Sequence, residues 1–327
     1  MKRLAAGAAA IATITLVPVA LRAAPVDLGA IATAAVASVQ AERGAATPAA
    51  GLGGCPMFPA DNPWNVRVDG APRRSDSTAI INRIQADGGD NLHPDFGANQ
   101  SYGIPFVVVP QGQPLVSVRV TDYPDESDPG PFPIPSDAPV EAGSDAHVLV
   151  LQQGTCQLHE LYGAARDASG WHAAQASTFD LRSNALRPEG WTSADAAGLP
   201  ILPGLVRCDE VTNGAIDHAI RVTMSRTRRA YIHPATHVAS GDNAADLPPM
   251  GLRLRLKGDF DLSGYTGQAR VILQAFQRYG MLVADNGSNW YFQGAPGPCW
   301  NDDDLNQLKR VPGTAFEAVD TGPVITG

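Results

Sequence analysis

Glycine and proline punctuate this chain more densely than any other feature. It holds 33 Gly and 27 Pro among 327 residues, well above the roughly 12% that the two supply in an average protein. Proline removes a backbone donor and fixes φ, and glycine loses the most freedom on ordering, so both gather in turns and loops. A loop-rich, turn-rich chain is therefore expected. Apolar residues still make up 44%, enough for a buried core in a chain of this length.

The charge balance narrows the class. Net charge is −9 at pH 7, the opposite of the basic footprint of a nucleic-acid binder. Met1-Lys2-Arg3 is followed by an uncharged, Ala-rich stretch from Leu4 to Ala20, the pattern of a secretory signal. Residues 1–24 are read as that signal, with cleavage anywhere between 23 and 41. Cutting after Ala24 would remove Lys2, Arg3 and Arg22 and deepen the negative charge. Residues 25–54, poor in large side chains, read as a flexible tether, and 55–327 as one β-rich domain. Beyond the N-terminal stretch no run is apolar and long enough to span a bilayer, so a secreted or periplasmic monomer is expected.

Four cysteines, Cys55, Cys156, Cys208 and Cys299, lie too far apart for a Cys-x-x-Cys metal or redox site. In an exported chain they imply two disulfides with three possible pairings. Cys55–Cys156 and Cys208–Cys299 are the expected bridges.

Along the body, 104–110, 115–120, 147–152, 157–162, 216–224, 231–233, 252–257, 281–285 and 289–293 read as strands. Gln153-Gly154-Thr155 and Asn286-Gly287 are hairpin signals. Residues 75–86 suit a capped helix. Residues 267–279 place Ala269, Ile272, Leu273 and Phe276 on one stripe ended by Gly280, and 301–309 form a short helix with acids at its start. The best architecture is all-β and mainly antiparallel, a β-sandwich or jelly-roll-like single domain with a few peripheral helices. No Gly-x-Gly-x-x-Gly or Walker loop calls for a nucleotide, and neither a cofactor nor a metal is expected.

Chemistry is sought first among the seven histidines. A group with an ordinary pKa near 6.5 suits proton transfer, and His147, His218 and His237 are the candidates for one cleft, with Asp285, or His237 itself, as acid partner. On a strand, His159 and Glu160 must face opposite ways, so Glu160 alone is kept as a site residue. Asp285-Asn286-Gly287-Ser288-Asn289-Trp290-Tyr291 places polar groups beside aromatics, as in a sugar site where ring faces stack on a pyranose. Arg221 is assigned to an acidic sugar, Asn286 to hydroxyls, Trp290 and Tyr291 to stacking. Glu189 and Asp195 offer a second carboxylate pair for glycoside chemistry, and Arg226, Arg228 and Arg229 a basic strip beside Arg221.

The segments 58–65 (FPADNPWN), 198–205 (GLPILPGL), 217–221 (DHAIR) and 279–288 (YGMLVADNGS) resemble a widespread group of exported bacterial proteins. The resemblance covers roughly Cys55 to Asp320. It implies extracellular glycan work, because members of the group are joined to sugar-binding or immunoglobulin-like modules. It also implies that the Cys208–Cys299 bridge is optional and Cys55–Cys156 the older one. It attaches no catalytic role to any residue.

The expectation is an exported carbohydrate-active enzyme, a glycoside hydrolase or polysaccharide lyase, using His147 or His218 as base on an extracellular polysaccharide or cell-surface glycan. The alternatives are a non-catalytic glycan or cell-surface binding protein and a metal-dependent hydrolase.

Overall fold

A computed structural model describes residues 51–327. The expected signal and all of the tether up to residue 50 lie outside the described residues. The last four tether residues form a tight turn, in which Leu52 and Cys55 exchange backbone hydrogen bonds of 2.9 and 3.0 Å.

The chain is β-rich, with sixteen strands in four sheets and four short helices among the described residues. Seven of the twelve strand pairings are antiparallel and five parallel, so the sheets are mixed. The largest sheet has six strands, in spatial order β1 (His93–Asp95), β14 (Tyr291–Gln293), β9 (Ile220–Met224), β13 (Met281–Asn286), β12 (Arg253–Leu256) and β15 (Phe316–Val319). A four-stranded sheet runs β2 (Phe106–Val109), β4 (Val148–Gln152), β5 (Gln157–Tyr162), β8 (Gln175–Asp180). Two three-stranded sheets complete the fold. One contains β3 (Val118–Val120), β7 (Gly170–Ala173) and β6 (Ala165–Asp167). The other contains β11 (Pro249–Met250), β10 (Arg228–Tyr231) and β16 (Ile325–Thr326).

The sequence of β4, VLVLQ, lacks polar alternation because this strand is buried on both faces. Leu149 and Leu151 join the main core with the six-stranded sheet. Val148 and Val150 join a second core with Trp171, Ala173 and the Val118–Val120 strand. Period 2 divides them, since successive side chains leave opposite faces. On β5 the same alternation sends Leu158 to the main core and Leu161 to the second.

The expected helices form with small shifts of boundary. Helix α1 is Ser77–Ala86, α3 is Gly267–Arg278 and α4 is Asp302–Asn306, the last continued by a 3-10 turn over Gln307–Arg310. The α3 stripe of Ala269, Ile272, Leu273 and Phe276 is buried. Gly280 follows at φ 67°, where a side chain would be strained, so the chain can turn sharply into β13. Helix α2 (Cys208–Thr212) was not foreseen. At five residues it has no readable period.

One topological expectation is corrected. Asn286-Gly287 does not close a hairpin. β9 lies between β13 and β14, pairing parallel with the first and antiparallel with the second. The turn instead carries the chain across β9. Both expected disulfides are present, with Cα–Cα distances of 5.4 Å for Cys55–Cys156 and 6.1 Å for Cys208–Cys299.

Candidate functional site

Alternation along the six-stranded sheet gathers a polar patch around β9 and β14, opposite their core-facing residues. Ile220, Val222, Met224 and Phe292 point to the core, where Phe276 of α3 meets Phe292 edge-on at 5.1 Å. Their neighbours Arg221 and Thr223 on β9, Tyr291 and Gln293 on β14, and Asp95 on β1 face the other way and line a cavity. Register brings them together: Thr223 lies opposite Tyr291, and Asp95 opposite Gln293. Asp285 joins from β13, and the segment leading into β4 supplies Glu141, Asp145 and His147. The cavity holds about 260 Å³.

Arg221 is held by a buried carboxylate. Its Nε and Nη2 donate to Asp195 Oδ2 and Oδ1 at 3.0 and 2.7 Å. Burial pulls the Arg221 pKa down, but Asp195 outweighs it and the guanidinium stays above its ordinary value. Asp285 lies 3.8 Å from the same guanidinium. Its side chain is 21% exposed. Burial and the nearby Asp195 push its carboxyl up to about 7, against a smaller opposing pull from Arg221.

His147 is charged by its surroundings. Its Nδ1 lies 2.6 Å from Glu141 Oε2 and its Nε2 3.0 Å from the Ala194 carbonyl. A carboxylate and a carbonyl only accept, so both ring nitrogens donate and the ring is an imidazolium. Burial works against that charge, but the Glu141 contact prevails and the His147 pKa lies above its usual value. Glu141 feels the converse. Burial would raise it, yet His147 holds it below the ordinary carboxylate range. With no lone pair free, His147 cannot serve as the expected base. It fixes Glu141 in place instead.

The other sequence-derived candidates are placed as follows. Asn286 and Tyr291 line the cavity. Asn286 is committed on both sides, accepting from Thr227 at 2.8 Å and donating to the Ala239 carbonyl at 2.8 Å. Tyr291 stacks on His93 at 4.1 Å, which occupies one ring face. Trp290 takes a left-handed φ of 65° and turns into the core, 0% exposed. Its Nε1 donates to Gln85 at 3.1 Å, so the expected aromatic pair reduces to Tyr291.

His218 is fully buried outside the cavity lining, with ring nitrogens 2.7 Å from the Ala219 carbonyl and 3.0 Å from Glu210. His237 donates to the Ala196 carbonyl at 2.8 Å and also stands outside the lining. Glu160, opposite in direction to His159, accepts from Ile201 and Leu202 backbone N–H groups at 2.9 Å. Burial pushes its carboxyl up to about 7 despite those bonds. It anchors the 198–205 segment rather than touching the cavity. Glu189 and Asp195 do not meet as a pair. Glu189 is exposed against Tyr231 and His233, while Asp195 is buried on Arg221. Of the basic strip, Arg226 is neutralised by Asp87 and Asp242.

Asp95 and Glu141 are the functional candidates that sequence reasoning missed. Asp95 sits in a three-residue strand, and Glu141 in a Pro- and Asp-rich loop without a period. The one available signal was the polar residue facing opposite to Phe96 and Pro94 in 93–96. Among the described residues no group of three or more His, Cys, Asp or Glu is placed to hold a metal ion. No family model, no curated protein and no solved structure matches the chain.

Proposed function

We propose that this cavity hydrolyses a glycosidic bond with carboxylates, in a protein that works outside the cytoplasm. One observation carries the reading: two carboxyl groups on one cavity have protonation driven in opposite directions. Asp285 is kept protonated close to neutrality and Glu141 is kept ionised by His147. Glycoside hydrolysis needs that division, an acid to protonate the leaving oxygen and a carboxylate to act as base or nucleophile. Asp285 is assigned the acid role and Glu141 the carboxylate role. The free face of Tyr291 is the surface for stacking a sugar ring. Arg221 is taken up by Asp195, and holds that acid beside Asp285 rather than neutralising a uronate. Export is supported by the signal-like N-terminus and by the two disulfides, which persist in oxidising compartments. Among the described residues no helix is long and apolar enough to cross a membrane.

The test is release of reducing ends from extracellular polysaccharides by the purified protein and by Asp285→Asn and Glu141→Gln. Each variant should lose about 10²–10⁴-fold in turnover while still binding the glycan. Turnover unchanged in either variant removes that residue from the reaction. Binding without any turnover in the unaltered protein would favour a non-catalytic glycan-binding protein.

A further inference from the structure

Charges around the cavity do not balance, and the imbalance selects a substrate. Each cation on its wall is already committed. His147 is spent on Glu141 and the Ala194 carbonyl, and Arg221 is spent on Asp195. Two further carboxyl groups, Asp95 and Asp145, line the cavity without a close cation of their own among the described residues. Among the described residues Asp95 makes no ion pair within 4.0 Å, and the carboxyl of Asp145, exposed at the edge, is bonded only by Ser144 at 3.4 Å. Asp285 is not counted with them, since it lies 3.8 Å from Arg221, which it shares with Asp195.

A second, independent feature points the same way. Gln293, 6% exposed on the same wall, has a carboxamide Oε1 that accepts no hydrogen bond from the described residues. Its Nε2 is turned away to the Tyr291 carbonyl at 3.5 Å. A buried acceptor left unmet is destabilising, and it is satisfied when an N–H or O–H of a ligand arrives. The wall therefore offers acceptors and negative charge, and holds no free cation among the described residues lining it.

We infer that the cavity takes an amino sugar with a free, protonated amine, with Asp95 and Gln293 as its specificity-determining residues. An ammonium supplies both the charge that Asp95 and Asp145 lack and the donors that Gln293 lacks. N-acetylation would remove the charge and add a methyl group to a polar wall. A uronate would bring a third unpaired carboxylate beside Asp95 and Asp145. The inference rests on the reading of the cavity as a carbohydrate site, but binding and bond cleavage are separable.

The experiment is calorimetric titration of the full chain with three oligosaccharides: glucosamine tetrasaccharide, its N-acetylated counterpart and a galacturonate tetrasaccharide. The glucosamine oligomer should bind about tenfold or more tightly than the acetylated one, and the uronate should not bind. Raising NaCl to about 0.5 M should collapse the preference, because exposed charges are screened. Asp95→Asn and Gln293→Leu, checked for unchanged thermal midpoints, should each reduce it, the first also weakening its salt dependence. The inference is overturned if the acetylated oligomer binds as well, if the uronate binds, if Asp95→Asn keeps the full preference, or if no oligomer binds. Glucosamine binding without reducing-end release leaves this inference standing and removes the hydrolase reading. Release from acetylated or neutral polymers alone does the reverse.

Discussion

Asp285→Asn should make the protein more stable, and only above the pH at which the carboxyl ionises in the unfolded chain. In the unfolded chain Asp285 titrates near 3.8, whereas in the fold burial raises it to about 7. Between those values the folded state holds a proton that the unfolded state has lost, so stability falls as pH rises through that window. The shift of about three units, at roughly 1.4 kcal/mol per unit, sets a penalty of about 4 kcal/mol that is complete above pH 7 and absent below about 3.8. Asparagine cannot ionise and is nearly the same shape, and its Oδ1 can still accept the Asn286 N–H that Asp285 accepts at 2.7 Å. Urea denaturation of both proteins from about pH 4 to 9 gives the difference curve. The curves should coincide at the acid end and separate to about 4 kcal/mol by pH 8, roughly 5–8 °C in midpoint for a chain of this size. A difference that does not change with pH, or a variant less stable at pH 8, would refute the assignment of a neutral acid at this position.

Three further outcomes are expected. Replacing Cys55 and Cys156 together by Ala opens a closed loop with a sequence separation of 101, and the chain-entropy model gives a loss of about 4–5 kcal/mol by urea denaturation. A loss under about 1 kcal/mol would show that the bridge constrains little. Arg221→Met strands the buried Asp195 carboxylate without its two donors, and should cost about 3–5 kcal/mol, most of it recovered by adding Asp195→Leu. No recovery in the double variant would mean that Arg221 matters for reasons other than this pair. Because the His147 pKa is raised in the fold, its contribution is complete below about 6.5 and is lost as pH climbs through the folded value. His147→Gln should therefore flatten the alkaline fall in stability, and an unchanged alkaline limb would argue against the Glu141–His147 ion pair.

How far the sequence revealed this molecule follows from the range of its interactions. Helix α3 was readable because its apolar stripe is local and its stop signal, Gly280, adjoins it. β4 and β5 were readable because a Gly-containing turn separates two apolar runs, and the pairing of Gln152 with Gln157 is the resulting hairpin. The false hairpin at Asn286-Gly287 shows the limit. A turn signal is local, but β9 enters between its strands from some 60 residues away. Arg221, Asp285, Asn286, Tyr291 and His147 were chosen for their chemistry, and the fold does bring them to one cavity. The roles were less legible than the positions. Whether His147 carries one proton or two depends on Glu141 and Ala194, the latter 47 residues away. Trp290 and Tyr291 look equivalent in a sequence, yet the backbone sends one to the core and the other to the cavity. Asp95 stayed hidden because its partners on β14 lie almost 200 residues downstream.

The most direct test is the pH dependence of reducing-end release from a glucosamine polymer by the unaltered protein and by Asp285→Asn. With Asp285 as the proton donor, turnover should fall above about pH 7 as its carboxyl ionises, and the variant should show almost none at any pH. A variant that cleaves as fast as the unaltered protein, or a rate indifferent to pH through that range, would contradict it.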